Sequence, residues 1–206
     1  MSKKTSRTLI TGALLMALAS PALATEAGDW SFSVGVHSVD PASDNGTLAD
    51  GAFEVDVASD WEPTITAEYF FSPNLGLEIL ASLPFDHDIS LNGVEAGSTK
   101  HLPPTFTLQY HFDGEKVSPF IGAGINYTLF FDQDTTGPLE GAELDLGNSW
   151  GLTARAGLDF KLSDKQAIRV DVRWMDIDTD VSVNGDEVGT VDIDPIVYGI
   201  AYVWNL

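Results

Sequence analysis

The sequence predicts an all-β protein: an eight-stranded antiparallel up-and-down transmembrane β-barrel with short periplasmic turns and long acidic extracellular loops. Three observations predict this fold. Apolar residues alternate with small or polar ones in eight segments of the chain, which is the periodicity of β-strands. The connections between these segments are alternately short and long. The chain also begins with a segment typical of exported proteins, and an exported barrel accounts for all three features.

The first element is a predicted signal peptide, residues 1–24, which is cleaved after export. Lys3, Lys4 and Arg7 form a basic start, and residues 9–19 form an apolar run too short to span a bilayer. The Ala-Leu-Ala sequence at 22–24 supplies the small residues of a cleavage site. Residues 25–206 are therefore expected to form one domain, the barrel.

Eight strands follow in order, each close to the ~9–11 residues that cross a bilayer at a tilt. An even number of strands lets both ends of an up-and-down barrel lie on the same side of the membrane. The predicted strands are residues 30–36, 65–71, 75–83, 106–112, 121–131, 150–160, 168–174 and 196–206.

The connections give the orientation. The short ones, 72–74, 113–118 and 162–165, are predicted periplasmic turns, and the long ones, 40–63, 84–103, 132–149 and 176–194, are predicted extracellular loops. The long loops hold 22 of the 31 acidic residues and one basic residue, Lys100. Two interpretations stay open: a solvating surface, or divalent-cation bridging to the surrounding lipopolysaccharide.

A soluble lipocalin-like barrel is the structural alternative, because it too has eight strands. The outward face of the predicted strands is apolar without a charged residue, which in water would expose a large aggregating band. Aromatic residues also cluster near the strand ends, as in the two interfacial girdles of a membrane barrel. The predicted interface aromatics are Trp30, Tyr69, Phe71, Tyr110, Phe160, Tyr202 and Trp204 at the periplasmic end, and Phe131, Trp150 and Trp174 at the extracellular end.

Composition excludes several classes of function. A net charge of −21 excludes nucleic acid as a partner, because phosphate binding requires basic patches. With no cysteine and four scattered histidines, we expect no metal site and no cofactor. The acids Asp176, Asp178, Asp180 and Glu187 have the spacing of a calcium loop, but its glycine is replaced by Val181 and strands flank it. No catalytic constellation is recognisable, so we expect no enzyme activity.

Inward-facing residues of the lower and middle barrel are charged or polar. Because buried charges must pair, we expect a salt-bridge network that plugs the periplasmic half of the lumen. Ordinary filling of a small barrel, with no role in transport, explains the same residues. The predicted polar plug comprises Glu68, Glu78, Gln109, His111, Arg155, Asp159, Arg169, Asp171 and Arg173.

Inward-facing residues of the upper barrel are apolar. The last two strands are expected to extend beyond the membrane and to be joined by a hairpin turn at Asn184-Gly185. Residues 139–146, in the third long loop, could form one or two helical turns. The predicted channel-lining residues are Phe130, Met175, Ile177, Val181, Val183, Val191, Ile193 and Val197. They would form an apolar mouth above a charged floor.

Four segments resemble the outer membrane protein W (OmpW) family. Residues 100–112, which begin Lys-His-Leu-Pro-Pro-Thr, look like the family's signature, and residues 118–132 are similar to its glycine-rich fifth strand. Residues 149–159 and 193–198 resemble its sixth and eighth strands. The chain ends in Leu206, where family members usually end in an aromatic residue, although Tyr202 and Trp204 still resemble the signal read by the barrel-assembly machinery.

The resemblance implies an outer membrane barrel of a Gram-negative bacterium, with an apolar channel that passes small hydrophobic molecules. Because the apolar mouth lies above a charged floor that a hydrophobic solute would not pass, we expect passive uptake through the mouth, followed by lateral exit into the membrane. The expected partners are outer membrane lipids, lipopolysaccharide, hydrophobic solutes and the assembly machinery. The alternative is a closed barrel that serves as a surface receptor, adhesin or membrane-stabilising protein.

Overall fold

The computed structural model describes residues 25–206, so the predicted signal peptide lies outside the described residues. This part of the chain contains fifteen β-strands and one short 3-10 helix, η1, at Gly137–Leu139. Within it, no helix has the length and apolar character needed to cross a membrane. The strands are β1 Trp30–Asp40, β2 Thr47–Leu48, β3 Phe53–Val57, β4 Asp60–Ser72, β5 Leu75–Ser82, β6 Phe85–Leu91, β7 Val94–Leu102, β8 Thr105–His111, β9 Val117–Thr135, β10 Leu144–Leu146, β11 Ser149–Ser163, β12 Gln166–Met175, β13 Asp178–Val183, β14 Asp186–Asp192 and β15 Ile196–Asn205.

Eight of these strands close into an antiparallel barrel, which confirms the predicted fold. Each pairs with its neighbours in the order β1, β4, β5, β8, β9, β11, β12 and β15, and β15 pairs back with β1. Val34 is opposite Ile65 on one side and Tyr202 on the other, so the apolar positions of adjacent strands share a level. The three short connections lie at one end of the barrel and the four long ones at the other.

The outer face of the barrel is apolar and its inner face is polar, the reverse of a water-soluble fold. In β1, Ser31 and Ser33 are buried inside while Val34 is exposed outside. Ile65 and Leu152 keep 58% and 61% of their surface exposed, far more than apolar side chains in the core of a soluble protein. Hydrocarbon, rather than water, is therefore the medium in which this surface is stable.

The long connections are more ordered than the sequence predicts, because they contain seven further strands. The β6–β7 hairpin pairs with β3 and with the upper half of β9, while β10, β13 and β14 form a separate three-stranded sheet. We call these elements, with η1 and the upper part of β9, the extracellular lobe. Its core includes Val39, Phe85 and Met175, at the junction with the barrel.

Two expectations about the loops are corrected by the structure. Residues 139–146 do not form helical turns, since η1 ends at Leu139 and residues 144–146 pair with β13 as strand β10. The last two barrel strands do not extend continuously, because β12 ends at Met175 and β13 begins at Asp178 in the other sheet. The Asn184-Gly185 turn does join β13 and β14, with φ of 54° and 85° at the two residues.

Candidate functional site: an apolar cavity above a buried ionic network

The lower and middle lumen is filled by a network of charged side chains from strands on opposite walls. All nine residues of the predicted polar plug project inward, and eight of them are buried; His111, at the periplasmic end, is partly accessible. Strand register explains their proximity: Glu68 faces Glu78 across β4 and β5, while Arg169 faces Asp159 across β11 and β12.

Glu78 lies at the centre of the network and contacts three arginines. Arg173 Nη2 donates to its Oε1 at 2.8 Å, Arg169 Nη1 lies 3.4 Å from Oε2, and Arg155 Nη1 also pairs with Oε2. Arg155 Nη1 lies 3.2 Å from the Gln109 side-chain oxygen as well. Because β5 is opposite β11 and β12, these contacts cross the lumen rather than run along its wall.

The other carboxylates bind two of these three arginines, Arg155 and Arg169. Arg155 Nε donates to Asp171 Oδ2 at 2.8 Å, and Arg169 donates to both oxygens of Asp159 at 2.7 and 2.8 Å. Towards the periplasm, His111 Nε2 lies 2.8 Å from Glu68 Oε1. Each arginine therefore has at least one carboxylate partner, as buried charges require.

The sequence analysis did not predict several members of this network, among them His37 and Phe120. His37 Nε2 lies 3.2 Å from Asp171 Oδ1, and Nδ1 lies 2.6 Å from the Thr64 hydroxyl. Phe120 lies beneath two guanidinium groups, 4.5 Å from Arg169 and 5.0 Å from Arg155. Both residues have inward parity on their strands, so the period-two pattern contains the signal that would have found them.

An apolar cavity of about 220 Å³ lies above this network, within the extracellular lobe. Five of the eight predicted channel-lining residues line it: Phe130, Val181, Val183, Val191 and Ile193. The other three, Met175, Ile177 and Val197, do not line it but are buried in the core that the cavity adjoins. Most of the wall comes from strands that the sequence reasoning treated as loops, including Leu48, Val55, Ile89, Leu91, Leu144 and Leu146.

Two histidines also line the cavity and were not predicted to contribute. His87 and His101 stack with ring centroids 4.8 Å apart, and His101 also contacts the rings of Phe85 and Phe130. Burial lowers the pKa of both histidines below the ordinary 6.5, so both imidazoles are neutral at pH 7. The alternation of residues 85–91 is the sequence signal for an inward His87, and the acidic neighbours Asp86 and Asp88 obscure it.

The barrel wall has an interruption between the network and the cavity. Pairing of β5 with β8 ends at Leu80 and Thr105, and pairing of β6 with β7 begins higher up at Phe85 and His101. The residues between these pairs include Pro84, Pro103 and Pro104, and proline has no N–H to donate to a strand ladder. We call this interruption the β5–β8 seam.

Comparison with known proteins assigns the family. The sequence profile of the OmpW family matches residues 26–206. The chain belongs to the OmpW family. It is 39% identical over 205 residues to outer membrane protein W of Vibrio cholerae, covering 92% of this chain and 94% of that protein. This OmpW-family chain is accordingly a β-barrel of the Gram-negative outer membrane.

Two further comparisons extend this assignment. Outer membrane protein AlkL of Ectopseudomonas oleovorans is 28% identical to this OmpW-family chain over 193 residues, covering 86% of this chain and 83% of that protein. The crystal structure of the outer membrane protein OprG from Pseudomonas aeruginosa has a TM-score of 0.82 at 32% identity, covering 90% of this chain and 99% of that chain.

Aromatic side chains on the outer face of this OmpW-family barrel form contacts at two levels. At the periplasmic level, Trp30 contacts Tyr69, Tyr69 contacts Phe71, and Tyr202 contacts Trp204, while Tyr110 and Phe160 are exposed on the same end. At the upper level, Trp150 contacts Tyr127 and Trp61 contacts Tyr198, and Trp174 is exposed there as well. The sequence analysis did not assign Trp61, Tyr127 or Tyr198 to this level. Phe131 lies four residues beyond Tyr127 on β9, beside Lys100 in the lobe, and so above this level.

Proposed function

We propose that this protein is a passive outer membrane channel for small hydrophobic molecules. The observation that carries the proposal is the apolar cavity of about 220 Å³ directly above a closed ionic network. A hydrophobic solute leaves water by entering such a cavity, and the apolar area it buries provides the driving force. Membership of the OmpW family also supports the proposal, because outer membrane protein W, AlkL and OprG are all outer membrane proteins.

The network determines the route that we propose below the cavity. A hydrophobic molecule that descended the lumen would have to separate Glu78 from its arginine partners without supplying replacement hydrogen bonds. Breaking one partner away from a buried ion pair typically costs ~3–5 kcal/mol. The straight route to the periplasm is therefore unfavourable, and the same network opposes the passage of ions.

The β5–β8 seam supports a lateral exit into the membrane. It lies between the cavity and the network, and the strands on its two sides have no ladder pairs there among the described residues. Opening a wall segment without ladder hydrogen bonds breaks fewer interactions than separating two paired strands. We therefore propose that the solute enters from outside, occupies the cavity and leaves through this seam.

The first test measures uptake of a small apolar solute by liposomes with and without the folded barrel, together with single-channel conductance in KCl. Faster uptake with little ionic conductance is the expected result. Ordinary conductance would contradict it, because it would require a water-filled path through the network. Absence of both signals would favour a receptor or structural role instead.

A cross-strand disulfide tests the exit route. The chain has no cysteine, so Leu80→Cys with Thr105→Cys creates a single disulfide at the last pair below the seam. Oxidation should slow uptake at least fivefold, and reduction should restore it. The matched control is Val39→Cys with Val197→Cys, a buried apolar pair between β1 and β15. Equal uptake by the oxidised and reduced seam variant would contradict lateral exit.

The partners that this proposal implies are the hydrophobic solute, outer membrane lipids, lipopolysaccharide and the assembly machinery.

The alternative, a closed barrel acting as receptor, adhesin or stabilising protein, is favoured by the acidic loops. Cutting these loops back does not separate the two functions, because the loops build the cavity itself. Replacing exposed acids such as Asp186 and Glu187 by their amides leaves the cavity intact. These substitutions should abolish a receptor or adhesin function that depends on the loop charge, and should leave uptake of hydrophobic molecules unchanged.

A further inference from the structure

We propose that His87 and His101 form the polar end of the cavity, so that its preferred occupant is a small apolar alcohol or phenol rather than a pure hydrocarbon. The inference deepens the proposed function and rests on it, since it names the class of molecule that the cavity takes.

The two histidines occupy one patch of a mainly apolar wall. Both side chains are 1% exposed and both line the cavity. They come from adjacent strands, with His87 opposite Thr99 and His101 opposite Phe85 in the β6–β7 register. Thr99 also lines the cavity, so three side chains capable of hydrogen bonding are grouped on a single hairpin. The remaining wall is mainly aliphatic and aromatic carbon.

The imidazoles have unused hydrogen-bonding capacity. His87 Nδ1 bonds to the carbonyl oxygen of Ala58, which can only accept, so Nδ1 carries the proton and Nε2 is an acceptor. Neither His87 Nε2 nor either ring nitrogen of His101 has a hydrogen-bond partner among residues 25–206. A neutral His101 supplies one donor and one acceptor. The pair therefore offers two acceptors and one donor, although buried polar groups are normally satisfied.

A hydroxyl group matches this set of donors and acceptors. Its O–H can donate to one imidazole nitrogen while its oxygen accepts from the N–H of His101. The unpartnered ring nitrogens are buried by neighbouring atoms in the structure. The χ2 torsion of histidine is broad, so rotation of the imidazole would turn a ring nitrogen towards the occupant of the cavity. A hydrocarbon fills the same space but leaves all three nitrogens unsatisfied.

A carboxylate fits less well than a hydroxyl. It would need a cationic partner, whereas burial keeps both imidazoles neutral at pH 7. Asp86 and Asp88 flank His87 in β6 and would repel an anion. The chemistry of the site therefore points to a neutral ligand with a single hydroxyl on an apolar body.

The experiment compares naphthalene with 1-naphthol, which differ by one hydroxyl. Each radiolabelled probe is equilibrated with the full barrel in phosphatidylcholine nanodiscs, and partitioning into empty nanodiscs is subtracted. We expect His101→Phe, which keeps a ring in the stack, to weaken 1-naphthol binding about tenfold and leave naphthalene binding unchanged. His87→Phe should act in the same direction. The control Phe130→Leu, an apolar wall residue, should affect both probes equally.

The outcomes are distinguishable from those of the uptake test. Loss of both probes to the same extent in His101→Phe, or no change for either, overturns the inference, as does a wild-type barrel that binds neither. Circular dichroism checks the fold of each variant, and His101→Gln should retain part of the preference because it keeps a donor and an acceptor. If the barrel binds 1-naphthol in preference to naphthalene but does not speed uptake, the channel is refuted and the histidine site stands. If it speeds uptake but binds the two probes equally, the histidine site is refuted and the channel stands.

Discussion

Arg169 donates two hydrogen bonds to the two carboxylate oxygens of Asp159, from Nε at 2.7 Å and from Nη2 at 2.8 Å. The pair is bidentate and buried within the barrel, where charge-assisted bonds of this geometry are strongest. The two residues face each other across β11 and β12, so the pair also ties neighbouring strands near the periplasmic end.

Asp159→Asn should lower the free energy of unfolding by about 3 kcal/mol, because it leaves a buried guanidinium without its main anionic partner. Urea titration of the barrel in lipid vesicles measures the change. The matched control is Asp132→Asn, which breaks the exposed pair with Lys100 in the lobe and should cost less than ~1 kcal/mol. Similar losses for the two variants would contradict the structural importance of the buried pair.

The network should also determine ionic conductance. The double variant Glu78→Ala with Arg155→Ala removes one acid and one base at the centre of the lumen, so net charge is unchanged. We expect single-channel conductance in KCl to rise at least severalfold over the wild type, since water can occupy the space. Lys100→Ala with Asp132→Ala removes an exposed pair and should leave conductance unchanged. A double variant that conducts no more than the wild type would show that the network is not the barrier.

The fit of the network depends on Gly157. A Cβ added there would collide with the ring of Phe120, which also packs against the Arg155 and Arg169 guanidinium groups, and would come within 2.8 Å of the Asp171 Cβ. Gly157→Ala should therefore reduce the free energy of unfolding by about 1–3 kcal/mol, the usual cost of overpacking. Adding Phe120→Leu should restore part of the loss, as measured by the same urea titration, because it removes the collision with the ring but not the contact with Asp171. Absence of any rescue would mean that the glycine is required for another reason.

The barrel was predictable because lipid imposes a simple rule on every strand. Ile65, Leu152 and Ile200 must face hydrocarbon, and a register slip of one residue would turn them inward. Inward parity also identified Glu78 and Arg155 as buried. Their contact, 77 residues apart in sequence, could not be deduced, because it depends on which strands lie opposite each other across the lumen.

The extracellular lobe was less predictable, because its strands lie outside the membrane and their outward faces are acidic. The alternation of Phe85, His87, Ile89 and Leu91 with polar neighbours is a strand pattern, yet Asp86 and Asp88 made the segment look like a solvated loop. The cavity is built across segments that start at Leu48 and end at Ile193, so its volume depends on tertiary packing. Sequence parity could identify apolar positions without showing which of them share one cavity.

Acidification should destabilise the lobe through His87 and His101. Burial lowers the pKa of both below the 6.5 of an unfolded chain, and the His87 ring further lowers that of His101. Below pH 6.5 the unfolded lobe therefore binds more protons than the folded one. The stability that neutral histidines contribute is fully present above pH 6.5 and decreases as pH falls, by up to ~1.4 kcal/mol per pH unit for each histidine.

Hydrogen exchange of the β6 and β7 amides at pH 7.5 and 5, corrected for the intrinsic pH dependence of exchange, measures this effect. Protection in the wild type should fall at pH 5, whereas the double variant His87→Phe with His101→Phe should lose much less, because no proton is taken up there. The amides of β11 and β12 are an internal control, since they lie in the barrel wall. Equal pH dependence of β6 in the wild type and the double variant would assign the effect to the lobe carboxylates instead.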